Sequence, residues 1–403
     1  MCVITHNRTF SMHLADTRSL PFIPLLVAGF VAVLVGYSSS AAIIWQAAQA
    51  AGATPAQTAG WFTMLGLAMG VATLALSLRT RLPVIAAWST PGAALLATSV
   101  EGLNLNEVIG VFVAVNLLIL LSGVTGIFAR LMRFIPPALA AAMLAGILLR
   151  YGIGTFTGLE SNAVLCGTMC LVWLLCRRWL PRYAIILALI AGAGVTLLQQ
   201  SVILPPDSFS FALPALVMPH FTLAALTGVA LPCFLITMAS QNAPGIATLQ
   251  AHGYQPPVSM LTSWTGAIAL LCSPFGGFSV CVGAISAAIC MGDEVDPDPA
   301  RRWIAAVCAG GFYLLAGLCG ALIAALLGAL PAVLIATLAG LALLNTLAGS
   351  LQRALQEPDQ RDSAIITVMI TASGISLAGI GSAFWGMAGG VLVHLLLTAR
   401  RRG

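Results

Sequence analysis

The chain has 403 residues, 60% of them apolar and 7% charged, against about 25% charged residues in soluble domains, which excludes a soluble protein of this length. All 17 basic residues are arginine, against 12 acidic ones, and the net charge of +5 is spread over many short loops rather than gathered on one face. That pattern excludes nucleic acid as a partner and marks membrane topology. The ten cysteines sit almost entirely in apolar runs without a CxxC pair or a Cys/His spacing that would hold a metal, so neither a metal nor a cofactor is expected.

Residues 1–20, with Arg8, His13, Asp16 and Arg18, read as a polar cytoplasmic tail, because the apolar run behind them is too long for a signal-peptide core. Apolar and glycine residues together number roughly 280, enough for about fourteen spans of about 20 residues. Fourteen runs follow in the chain: 21–50, 57–78, 83–99, 106–128, 136–150, 162–176, 183–200, 222–248, 258–273, 276–291, 303–328, 331–350, 363–380 and 382–399. With the amino terminus in the cytoplasm, alternation over fourteen crossings puts sixteen arginines inside and only Arg150 outside. Dropping either of the short segments 3 and 10 would scatter them, so both count and both termini are expected inside. The connection 201–221 reads as a periplasmic linker between halves of seven segments. An odd number of spans per half makes the second half enter from the opposite side, an inverted repeat. The predicted fold is an all-α polytopic membrane protein with 14 transmembrane segments in a 7+7 inverted repeat.

Segments 3 and 10 are each expected to be a short strand plus a half-helix. Pro83 to Trp88 reads as extended, Ser89 or Thr90 as a helix cap and Pro91 as the first helical residue. In segment 10, Gly276, Gly277 and Phe278 read as the extended part and Ser279 as the matching cap, because the string from Trp88 to Ala97 can be laid over that from Phe278 to Ala287. Non-helical backbone at this depth lines a cavity or is buried in protein, so paired breaks point to a binding site. No Asp, Glu, Lys or Arg lies inside segments 1, 3, 8 or 10. Their polar inventory is Tyr37, Ser38, Ser39, Ser40, Ser89, Thr90, Ser240, Gln241, Asn242 and Ser279, with Trp88 and Phe278 as further aromatic walls. Each helix start carries about half a positive charge, so an uncharged pocket between two of them favours an anion. Asp293, Glu294, Asp296 and Asp298 fit no EF-hand spacing and read as a solvated loop. No HExxH, GxSxG or P-loop string occurs, and the chain is not expected to be an enzyme.

The strings GYSSSAAIIWQAA, AWSTPGAALLAT, AAAMLAGILLR, TMASQNAPGIA and ASGISLAGIGSAFWG resemble the benzoate/proton symporter (BenE) family over nearly the whole chain from residue 21. The resemblance implies the fold of uracil permease and sulfate-type anion transporters, with a core of segments 1–4 and 8–11 (21–134 and 222–328) and a gate of segments 5–7 and 12–14 (135–200 and 329–400). It also implies a substrate held between segments 3 and 10 and touched from 1 and 8. Nucleobase permeases carry glutamates where this chain has Gln241 and Val280; both departures remove charge and argue against a neutral nucleobase. The expected function is secondary active import of an aromatic carboxylate, benzoate or an analogue, with protons, by alternating access in the bacterial inner membrane. The substrate would be contacted by Tyr37, Ser38, Ser39, Trp88, Ser89, Thr90, Gln241, Asn242, Phe278 and Ser279. An inorganic-anion exchanger or uniporter is the alternative, a nucleobase permease or membrane enzyme a more remote one, and a homodimer is what the fold's relatives suggest.

Overall fold

Apolar runs bounded by polar, proline or glycine breaks become helices, because inside a bilayer a backbone must satisfy its own hydrogen bonds. The computed structural model describes residues 22–100, 102–126, 137–199, 212–293, 295–377 and 381–402. The expected tail at 1–20 and most of the linker at 201–221 lie outside them. The first half comprises α1 (Phe22–Ala50), α2 (Pro55–Thr80), β1 (Ala86–Trp88), α3 (Thr90–Ser99), α4 (Leu105–Val124), α5 (Pro137–Ser161), α6 (Ala163–Trp179) and α7 (Ala184–Leu198). The second comprises α8 (Leu223–Ala251), α9 (Val258–Cys272), β2 (Val280–Val282), α10 (Ile285–Ile289), α11 (Trp303–Leu318), α12 (Gly320–Ala329), α13 (Ala332–Leu355), α14 (Arg361–Ser373) and α15 (Ser382–Arg402).

These elements account for all fourteen expected segments, with α11 and α12 forming one run broken by a 63° bend at Cys319. α5 runs on past Arg150 to Ser161, where the sequence reading ended the span at the charge. Sequence caps set several starts. Thr54 and Gln57 form a reciprocal capping box at α2, and Asn104 and Glu107 do the same at α4.

α2 packs on α11 and α12, α4 on α9, and α1 on α3 and α11, while α5 packs on α13 and α14 and α6 on α7. Small residues allow close crossings: a Cβ on Gly66 of α2 would run into the Gly317 backbone of α11.

β1 and β2 pair antiparallel, Ala86 with Val282, Ala87 with Cys281 and Trp88 with Val280, and the Gly283 N–H extends the ladder to the Ile85 carbonyl. The half-helices that follow therefore leave the pair in opposite directions. Buried Asn116 of α4 pins the chain entering β2, its Nδ2 donating to the Phe278 carbonyl (2.9 Å) and to Ser273 Oγ (2.8 Å). An Asn116→Leu variant would orphan that carbonyl, at a cost of roughly 1–3 kcal/mol. A lowered unfolding midpoint in detergent, compared with an exposed α4 change such as Leu121→Ala, checks this.

The acidic loop after α10 is solvated at Asp293 and Asp298, as its composition suggests, but not throughout. Asp296 and Arg302 are 6% and 5% exposed. Arg302 donates to the carbonyls of Asp296 (2.8 Å) and Met291 (2.6 Å) and to Asp293 Oδ1 (2.5 Å), so one guanidinium ties down the chain behind α10. Burial pushes the nearby Tyr254 phenol up, and the Arg302 charge pulls it back.

Candidate functional site

The first half-helix is built as its residues dictate. Pro91 suits the first turn, and Ser89, extended at φ −82° and ψ 92°, accepts from the Gly92 N–H at 3.1 Å. The Ser89 carbonyl takes the Ala93 N–H and Pro91 has none, so only the Thr90 N–H is left uncommitted among the first donors of α3. Ser89 is wholly buried and its hydroxyl also meets Thr237 Oγ1 of α8 at 2.8 Å. Thr90 Oγ1 meets Ser40 Oγ of α1 at 2.8 Å. The start of α3 is thereby strapped to the middles of α1 and α8.

The second half-helix differs from expectation. Ser279 is not its cap: Val280, Cys281 and Val282 take the strand, as β-branched residues favour, and α10 starts behind Ala284 with no side-chain cap. The strand pairing relates Ala86–Trp88 to Val280–Val282, so the sequence overlay of Trp88 on Phe278 is out of register by four residues. Ser279 is buried with an Oγ that finds no partner among the described residues. The uncapped start of α10 leaves the first N–H groups, those of Ile285, Ser286 and Ala287, free of any side-chain acceptor.

α8 contributes through two π turns, Leu226–Ala230 and Met238–Asn242. Such turns occur often at functional positions, since they re-aim side chains by adding a residue to a turn. Ser240 donates back to the Ile236 carbonyl, and Ser38 and Ser39 donate back to Val35 and Gly36 of α1. Asn242 is structural in its bonding: its Oδ1 accepts from the Val282 N–H at 3.0 Å and its Nδ2 reaches Met238 Sδ at 3.1 Å. Gln241 beside it is half-buried, and its amide makes no hydrogen bond to the described residues.

Tyr37 meets Trp88 edge-on at 4.6 Å between ring centroids and lies 6.2 Å from Tyr313. The Tyr37 hydroxyl is buried against Gly66 without a hydrogen-bond partner among the described residues. Phe278 belongs elsewhere, packed on Phe112 at 5.8 Å in a cluster with Trp61. The structure therefore gathers Tyr37, Trp88, Ser89 and Thr90 and places Gln241 and Asn242 on the α8 turn that meets β2. It sends Phe278 to an aromatic packing cluster, while Ser279 is buried with no hydrogen-bond partner among the described residues. Thr237 and Ser40 are the tethers that sequence reasoning did not select as site residues; the hydroxyl at matched depth in each helix was their only signal.

The family model described as "Benzoate membrane transport protein" (BenE) matches residues 21–396. "Inner membrane protein YdcO" of Escherichia coli (strain K12) is 56% identical over 374 residues, 93% of this chain and 96% of that one. The benzoate membrane transport protein of Acinetobacter baylyi is 36% identical over 371 residues, 92% of this chain and 94% of that one. The transmembrane domain of the cyanobacterial bicarbonate transporter BicA superposes with a TM-score of 0.60 at 14% identity, over 94% of this chain and 98% of that chain. SLC26A9 does so with 0.63 at 13%, over 94% and 66%. The fold is thus the 7+7 inverted repeat of that transporter class, and the family, the Acinetobacter relative and the solved bicarbonate transporter are transporters rather than enzymes. The chain is a multi-pass membrane transporter and belongs to the BenE family.

Proposed function

We propose that the protein imports a small aromatic carboxylate, benzoate or a close analogue, into the bacterial cytoplasm by secondary active transport coupled to protons. The observation that supports this reading is the absence of charged residues around two half-helix starts that run in opposite directions. A fixed carboxylate there would repel an anion, whereas two partial positive charges offset part of its desolvation. The Thr90 N–H, the open N–H groups of α10 and the Gln241 amide would hold the carboxylate. Trp88 and Tyr37 would flank the ring, and Asn242 and Ser89 would hold the donors in place.

Core segments 1–4 and 8–11 would move against gate segments 5–7 and 12–14, with both termini on the cytoplasmic side. The printed name of the Acinetobacter relative supports the substrate class. Labelled benzoate is expected to accumulate in proteoliposomes under an inward proton gradient. No uptake above empty liposomes, together with uptake of uracil, overturns the reading, and competition by bicarbonate or sulfate with no response to pH favours inorganic-anion exchange instead. Benzoate is also expected to quench part of the tryptophan fluorescence, and Trp88→Phe should remove that part.

A further inference from the structure

One arginine of the seventeen does not follow the topology count, and the structure places it beside a cavity. The cavity, of about 310 Å³, lies where α3 ends, at the other end of segment 3 from Arg79 and Arg81. Thr98 and Ser99 of α3, Val229 of α8, Ser376 behind α14 and Ser382 of α15 line it. It therefore sits between segments 3 and 8 on one side and 13 and 14 on the other. Its volume falls at the lower end of the range for small-molecule sites, about 300–1,000 Å³.

Thr98 and Ser382 spend their hydroxyl protons on the Ala94 and Thr371 carbonyls, while Ser99 and Ser376 make no side-chain hydrogen bond to the described residues. Gly374, also in the lining, ends α14 at φ +68°, and a Cβ built on it would lie 2.9 Å from Arg150 Nη1. The guanidinium thus abuts the cavity wall at a residue with no side chain to hold it off. Arg150 is exposed and makes no hydrogen bond or ion pair to the described residues. Its chain neighbour Tyr151 donates to the Ala94 carbonyl at 3.2 Å, which fixes this part of α5 against α3. Glu101, the charged residue nearest in sequence to the α3 part of the lining, lies outside the described residues.

An exposed arginine within the α5 span, with no hydrogen bond or ion pair to the described residues and beside a cavity whose Ser99 and Ser376 hydroxyls likewise bond none of them, is placed for an anion rather than for packing. We propose that Arg150, with Ser99 and Ser376, forms an external capture site that collects the substrate carboxylate before it reaches the centre of the membrane. This rests on the reading of the protein as a carboxylate importer. One fixed charge at a mouth raises the local concentration of a monoanion, and does so less as salt rises.

The test compares wild type, Arg150→Gln and Arg150→Lys in proteoliposomes taking up labelled benzoate at low and high ionic strength. Arg150→Gln is expected to raise KM about three- to tenfold at low salt with the maximal rate held within about twofold, and to flatten the salt dependence of KM. Arg150→Lys is expected to keep most of the wild-type behaviour. Arg150→Cys, reconstituted first and then treated from outside with impermeant methanethiosulfonates, separates charge from folding, with treated wild type controlling for the native cysteines. The cationic reagent should lower KM and the anionic one raise it. Wild-type uptake with an unchanged KM in Arg150→Gln, or the same response to both reagents, overturns the capture site alone. Absence of uptake by the wild type overturns the import reading and the capture site with it.

Discussion

Gln241→Glu is expected to abolish benzoate uptake at neutral pH while leaving the protein folded. Gln241 is half-buried in the π turn Met238–Asn242, and its amide is not committed to the described residues, so the variant changes charge with little change of shape. Two unit charges about 6 Å apart at an effective dielectric of about 20 repel by about 3 kcal/mol, equivalent to roughly a hundredfold loss of binding. The pH dependence has a definite sign. A carboxylate is charged near neutrality and loses its charge as pH falls. The defect should therefore be complete near neutrality and shrink as pH falls, measured as the ratio of variant to wild-type uptake at each pH. Gln241→Asn removes reach without adding charge and should cost far less. Equal losses in both variants, or a ratio that does not move with pH, would show that the carboxylate does not meet Gln241. Uracil uptake is the second readout, because a gain there would mark a site that discriminates on that charge.

Much of the architecture was legible because two physical signals are strong in such a chain. Apolar runs mark the spans, and the arginines between them fix their parity, which is why the short segments 3 and 10 were counted. Pro91 behind Ser89 announced the first half-helix, since each residue type has a defined place at a helix start. The second half-helix was legible in position but not in register. Gly276 and Gly277 suggested the extended stretch, yet the strand begins at Val280, because Ser273 to Phe275 form a further turn and Phe278 is anchored through its carbonyl by Asn116. Nothing local in Ser279 distinguishes a cap from a buried hydroxyl five residues before the cap position at Ala284. The π turns of α8 left no trace in composition, and the break between α11 and α12 falls at Cys319 and Gly320 without a proline. Arg302 shows the same limit for charge: its position read as a topology signal, while its three hydrogen bonds around the end of α10 are a tertiary fact.

Ser89→Ala should be the most disruptive small change in the centre, and a double-mutant cycle with Thr237→Val can show why. Ser89 does two jobs with one hydroxyl, capping α3 through the Gly92 N–H and meeting Thr237 Oγ1 across to α8, and both residues are fully buried. Losing the cap costs about 1 kcal/mol, and leaving the Thr237 hydroxyl with only the weak Cys233 thiol as a side-chain partner in a dry interior adds about 1 kcal/mol or more. Thr237→Val alone keeps the cap and should cost only about 1 kcal/mol, the net value of one hydrogen bond. In the double variant the orphaned hydroxyl is gone, so its cost should fall well below the sum of the singles, toward that of the lost cap. Unfolding in detergent reads this term. Uptake should not recover with stability, because the double variant still lacks the cap that sets the start of α3 and the Thr90 N–H where a carboxylate would be held. A double variant that costs the full sum of the singles would show that the hydroxyls do not share a bond. One that regains both stability and transport would show that Ser89 serves only to satisfy the Thr237 hydroxyl.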